Sequence, residues 1–298
     1  MKRVDNRKCI RNLSVKSMRT AKLRNGIAVL AIALTAMLFT ALFTIAGSLN
    51  ESFQQQNFRQ AGGDFHGVFK DVSEEQIEEL AGGSLIKEWG VRTILGMPED
   101  APFQKAHVEV GYADETCAYS MFCRPVEGRL PEEGTNEAAT DLRVLKLLGV
   151  EPRIGEEFTI TYYLGQGTAH LTPVTATFVL SGWWEYDGVN IASHVLVPET
   201  YVTEVLSGYE SQGESDMTGR WDMYVNFKNA YHIRENLNEV LEHFGYQGEN
   251  ESADNYVAIG VNWGYTGAQL SNSMDMGDAG RHWGGGAPDC VYGLSDYL

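Results

Sequence analysis

IAVLAIALTAMLFTALFTIA, residues 27–46, is twenty residues long and carries no charge. A helix rises about 1.5 Å per residue, so this run covers about 30 Å, the hydrocarbon thickness of a bilayer. It reads as a transmembrane helix, with Ile27, Leu34, Phe39 and Phe43 among the side chains that anchor it in lipid. A cleaved signal peptide is the rival reading. The apolar run is too long for a signal core, and Thr44-Ile45-Ala46 makes a poor cleavage box.

The flanks set the orientation. Residues 1–26 form a basic leader with nine Lys/Arg and one acid, Asp5. The remainder holds 14 Lys/Arg against 39 Asp/Glu, a net of −25. Cations stay on the cytoplasmic side, so the N-terminus is expected inside the plasma membrane and everything after Asn50 outside, in a single pass. Leu13, Met18 and Leu23 alternate with cations. That suits a helix on an anionic leaflet, and it suits a solvated basic anchor equally. The acid excess beyond the membrane excludes nucleic-acid binding, which needs a basic face. Cys9 is expected inside and reduced. Cys117 and Cys123 are expected outside, where a bridge and two buried thiols both remain open.

Outward from the membrane run, residues 47–61 are polar and lack proline, so the helix is expected to continue as a stalk. Residues 62–260 then alternate helices and short strands, an α+β domain that divides into two sub-domains sharing sheets. Ser73-Glu74-Glu75-Gln76 is a capping box before a helix that Gly82 ends. Thr140 or Asp141 caps LRVLKLLG, and Gly149 stops it. Pro198 occupies a first helical position before a helix closed by Gly208. Asn229 opens the longest helix of the region, with Ile233, Leu237, Val240, Leu241 and Phe244 on one face as core. Period-two alternation places Phe158, Ile160 and Tyr162 on one face of a strand. It does the same for Val174, Ala176, Phe178 and Leu180, and for Trp221, Met223, Val225 and Phe227. Residues 207–219 read as a flexible loop. A return stalk over 261–277 and an aberrant or flexible tail over 278–298 complete the chain.

Catalytic motifs are missing. There is no G-x-x-x-x-G-K-[ST], no H-E-x-x-H and no G-x-S-x-G. The glycines of Gly165–His170 sit between two strands and read as a turn. The histidines, at 66, 107, 170, 194, 232, 243 and 282, have no ligand spacing, so each reads as a core or surface residue. Glu74-Glu75 and Glu132-Glu133 suit a solvated exterior. Trp183-Trp184 is a binding platform or, in the plainer reading, one core ring and one interface ring. No cofactor, metal or catalytic residue is expected.

Val126–Tyr162, VEGRLPEEGTNEAATDLRVLKLLGVEPRIGEEFTITY, resembles the extracytoplasmic core domain of MacB/FtsX-type ABC transporter permeases. The shared pattern is Gly128-Arg129-Leu130-Pro131, then Asn136-Glu137, Leu148-Gly149 and Gly155-Glu156. Phe178–Gly182 looks like that family's next strand and turn, and Arg11-Asn12-Leu13 with Lys16 and Arg19 looks like its leader. The resemblance implies a permease without catalysis of its own. A separate cytoplasmic ABC ATPase subunit would hydrolyse ATP, and membrane lipid and a second permease copy would be its other partners. Motion would pass by mechanotransmission to the outside domain, acting on peptides, lipoproteins or other amphiphiles. Such permeases carry further membrane helices after this domain, which this sequence lacks. The tail, GDAGRHWGGGAPDCVYGLSDYL from Gly277 to Leu298, bears on that departure. Read one base later from the Asp278 codon, its codons permit an uncharged apolar run of spanning length, so a frame change near Gly277 and truncation is one reading. A native flexible tail is the other, and on neither does His282 or Cys290 read as a metal ligand. Two rival functions remain: a single-pass sensor or ligand-binding protein, and a membrane-anchored enzyme. The 26-residue leader is short for a signalling domain, and no motif supports an enzyme.

Overall fold

Helix α1 runs unbroken from Lys22 to Gln60, 39 residues. The computed structural model describes residues 11–12, 16, 22–213 and 215–265. The return stalk beyond Tyr265, the tail and most of the leader lie outside the described residues, and so do Cys9, His282 and Cys290. By its internal contacts the chain divides after Phe53 into two units. In the first unit, α1 exposes Ile27, Leu34, Phe39 and Phe43, and no residue of its apolar window is buried. Three hydroxyls within the apolar run, those of Thr35, Thr40 and Thr44, donate to the carbonyl four residues earlier at 2.8–2.9 Å. That hides the polar group along the backbone, as an apolar medium requires. Among the described residues α1 alone is long and apolar enough to cross a membrane.

The second unit is mixed α+β, as expected. It carries β1 (Gly67–Lys70), α2 (Glu74–Ala81), β2 (Ile86–Gly96), β3 (Val108–Ala113), α3 (Glu115–Ser120), β4 (Glu127–Gly128), β5 (Glu137–Asp141) and α4 (Leu142–Leu148). There follow β6 (Glu157–Leu164), β7 (Thr172–Trp184), β8 (Ser193–Leu196), α5 (Glu199–Ser207), β9 (Trp221–Phe227), α6 (Ile233–His243) and β10 (Ala258–Val261). All ten strands described join one sheet, ordered β10-β1-β9-β2-β3-β8-β5-β7, with β4 and β6 both along the outer edge of β7. The β3/β8 and β5/β7 pairs are parallel and the rest antiparallel. Beyond β2, Met97 exchanges backbone hydrogen bonds with Tyr163 of β6, so the sheet curls back on itself. Gly96 permits this, because a Cβ there would stand 2.0 Å from the Tyr163 carbonyl oxygen.

Three cores share the sheet. One draws on β2, β3, β5, β6, β7 and β8 with α4 and α5, and it buries Phe158, Ile160, Tyr162, Phe178 and Leu180. A second buries Phe65, Cys117, Cys123, Trp184 and Tyr224 around α3. The third packs α2 and α6 on β1 and β9, and it buries Ile233, Leu237, Val240, Leu241, Met223, Val225 and Phe227. The alternation in the sequence therefore marks the core faces correctly. The sheet is continuous across the three cores, and by its internal contacts the domain is one unit.

Several local expectations are met and others shift. Ser73 and Gln76 form the capping box of α2. Asp141, not Thr140, caps α4, and Gly149 at φ +71 ends it. Pro198 is the N-cap of α5, one residue earlier than expected. Asn229 does not open α6: its side chain accepts the Tyr231 N–H in a local turn, and the helix starts after His232. The 207–219 stretch is tied down. Buried Asp216 accepts from the Tyr209 hydroxyl (2.6 Å) and from the Gln212 and Thr218 amides, while Met217 and Gly219 bond to Gln166 and Ile94. Gly165–His170 is the β6–β7 turn, as read. Cys117 and Cys123 are unbridged and buried, and burial pushes both thiols up, which leaves them inert.

Candidate functional site

Two stretches far apart in sequence meet at one place in the second unit: the last turn of α1 and the residues that follow β10. Phe58, in the last turn of α1, is buried, and its ring stands 4.6 Å from that of Tyr265. Its neighbour Arg59 pairs with Asp187 at 2.6 Å and lies over the Phe122 ring at 4.8 Å. Opposite them, Asn262 follows β10 and is 3% exposed. Its side-chain amide donates to the carbonyls of Gly63 (2.9 Å) and Phe65 (2.7 Å), and its Oδ1 accepts the Gly264 N–H (2.9 Å). Its own backbone N–H donates to the His66 carbonyl, and the Tyr265 hydroxyl donates to the Asp64 carbonyl at 2.6 Å. One buried amide side chain thus satisfies backbone groups from both passes of the chain, where unpaired groups would be costly.

His66 sits in the middle of this clasp. Its Nδ1 accepts the Phe227 N–H at 2.9 Å, and its ring meets Tyr265 edge-on with centroids 4.6 Å apart. Burial, with Lys87 adding to it, lowers its pKa from the ordinary 6.5. The ring is therefore neutral, with the proton on Nε2. Sequence reading left His66 as one of seven scattered histidines and put Asn262 in the return stalk over 261–277, whereas it is buried in the domain. Their partners lie up to 199 residues away, so no local pattern records them.

A second constellation gathers the residues of the 126–162 motif. Gly128, Arg129, Glu137 and Gly155 line one surface groove with Ile154 and Ser181. Arg129 grips the Glu137 carboxylate with both terminal nitrogens, at 2.7 and 2.9 Å, across β7. The Glu132 amide also donates to Glu137. Burial pushes Glu137 up, and the Arg129 bond outweighs it, so the carboxyl titrates below its ordinary value. Gly128, at φ +81, brings its backbone so close that a Cβ would stand 2.1 Å from the Ser181 carbonyl oxygen. Asn136 contributes its backbone carbonyl to Val179. Pro131 and Gly149 are not among the groove-lining residues, and Gly149 serves only as the α4 cap. Glu133, read as part of a solvated pair, is exposed, and from there it receives the Glu199 and Thr200 amides and caps α5.

A third cluster was not legible in the sequence. Glu109 accepts from His107 Nε2 at 3.0 Å, with His194 Nδ1 at 3.3 Å and Arg92 Nη1 at 3.5 Å. Burial alone would raise Glu109, but Arg92, then His107 and His194, hold it well below the carboxylate range. Among the described residues no His/Cys/Asp/Glu group is arranged to hold a metal ion. The cluster is an ion network whose donors all turn on the one carboxylate of Glu109. Trp184 is buried in the core and Trp183 is half-buried, which is the plainer of the two readings of that pair.

No family model matches the chain, and no curated protein matches it. Among solved structures, one match is described as the crystal structure of the extracellular domain of the noncanonic ABC-type transporter YknZ from Gram-positive bacteria. The two share 12% identity at a TM-score of 0.40, over 66% of this chain and 99% of that domain.

Proposed function

We propose that this chain is a permease-type subunit of an ABC transporter, with α1 as a membrane helix and the sheet domain outside the cell. In this reading Ile27, Leu34, Phe39 and Phe43 face lipid, and a separate cytoplasmic ATPase supplies the motion. A second permease copy completes the assembly. The observation that carries the reading is the clasp: the last turn of α1, at Phe58 and Arg59, is locked into the sheet domain against Tyr265, beside Asn262. A domain gripped rigidly at the end of a membrane helix suits mechanical coupling to that helix. Displacement of α1 reaches the sheet through Phe58, Arg59 and the strand pair β1/β10. The ordered motif over 126–162 supports the same reading, and peptides, lipoproteins or other amphiphiles are the substrates it implies.

The test is purification of the full chain from its native membrane with its partners. An ABC ATPase in stoichiometric yield supports the proposal. A sensor kinase in its place sinks it in favour of the single-pass receptor.

A further inference from the structure

We propose that His66 is an acid-released latch on the clasp that joins the last turn of α1 to the residues after β10. The argument is geometric. An imidazole nitrogen that accepts a backbone N–H cannot carry a proton, and His66 Nδ1 accepts from Phe227 at 2.9 Å. Protonation would set two donors against each other at the end of the β1/β9 pair, beside Tyr265. The same residue holds the segment after β10 from two further sides. Its carbonyl accepts the Asn262 N–H, and its ring supports Tyr265, which also packs on Phe58. A ring that must leave its place therefore loosens Tyr265 and Asn262 together.

The charged groups around the ring favour release over rescue. From β2, Lys87 adds positive charge that opposes a second cation. Asp64, two residues before, has its carboxyl raised by burial, with Glu88 of β2 contributing, so it loses charge readily as acid is added. Tyr265 is pushed up to about 12 and stays neutral. Lys228, following β9, is turned to the Ser84 carbonyl. No carboxylate pairs with the ring among the described residues, in contrast to His107 and His194, which both meet Glu109. The sign follows from linkage. A histidine whose folded pKa lies below its unfolded 6.5 contributes stability that is complete above 6.5 and is lost as pH falls through the folded value. The inference concerns the opening of the clasp and holds whatever the domain is coupled to.

Hydrogen exchange of the full chain in detergent tests it. Protection factors, corrected for intrinsic exchange, are compared between pH 7.5 and pH 5 for peptides over 62–70, 223–228 and 257–265 and for the β6–β7 hairpin. One proton can lower protection by at most about tenfold per pH unit. Loss is expected in the first three and not in the hairpin. His66→Asn keeps an oxygen acceptor near the position of Nδ1 without a titrating group, and it should abolish the pH dependence. Unchanged protection in the wild type, or equal loss in the hairpin, overturns the proposal. Equal acid sensitivity of a folded His66→Asn variant overturns it too. If that variant does not fold, the His66 ring signal in an NMR titration of the wild-type chain decides. It must titrate together with the loss of protection, and titration without that loss refutes the latch.

Discussion

Gly128 and Arg129 are neighbours in one motif, yet their substitution should cost very different amounts. Gly128 combines a φ of +81 with a carbonyl 2.1 Å from any added Cβ, so Gly128→Ala has both strain and a backbone clash to relieve. A loss of about 2 kcal/mol or more is expected in denaturant unfolding. Arg129 is half-exposed, so its bidentate bond to Glu137 is screened, and Arg129→Ala should cost within about 1 kcal/mol. The reverse order would show that the bridge, not the backbone, fixes β4 on β7. Glu109→Gln is the severe case, since it leaves Arg92 without its carboxylate in a nearly closed site. About 3 kcal/mol is expected. Glu109 is held well below its unfolded value of 4.5, so the stability it contributes is present above 4.5 and disappears as pH falls through the folded value. Wild type and Glu109→Gln should therefore converge in acid, which unfolding curves at pH 3 and pH 7 will show.

Elements were legible where their signals are local. The stripe of α6 and the alternation of β6 report burial on one face, and neighbours within a turn or a pleat are enough to write that pattern. The Ser73 capping box closes within four residues and was equally readable. The start of α6 was not, because Asn229 spends its side chain on Tyr231 instead of on a helical amide. The capping role of Glu133 was hidden for a similar reason, since the helix it caps begins 66 residues later. Two predictions belong here. Asp141 accepts two amides at the start of α4, so Asp141→Ala should cost about 1 kcal/mol while Asp141→Asn stays near neutral. On α1, Phe58 is 5% exposed and Phe53 is 62% exposed. Phe58→Ala should lower stability by about 3 kcal/mol and Phe53→Ala by less than about 0.5 in thermal melts of the full chain.

At the scale of the whole molecule, the charge asymmetry predicts topology. A cysteine placed at Ser52 should react with an impermeant thiol reagent on intact cells, and one at Ser17 should not. The reverse labelling would defeat the membrane reading. The sheet order has a different consequence, one that concerns synthesis. β1 ends at Lys70, yet its two neighbours are β9, beginning at Trp221, and β10, beginning at Ala258. On the ribosome β1 emerges early and has nothing to pair with until the far end of the domain follows. The core built on β5, β6 and β7 with α4 draws on partners much nearer in sequence and can close sooner. Bringing β9 back to β1 costs about 4 kcal/mol of loop entropy for a span of roughly 150 residues. Such distant pairing is slow. The strands beside α1 are thus the last to find their places, and a nascent chain halted before Trp221 would carry a finished helix joined to an unfinished strand.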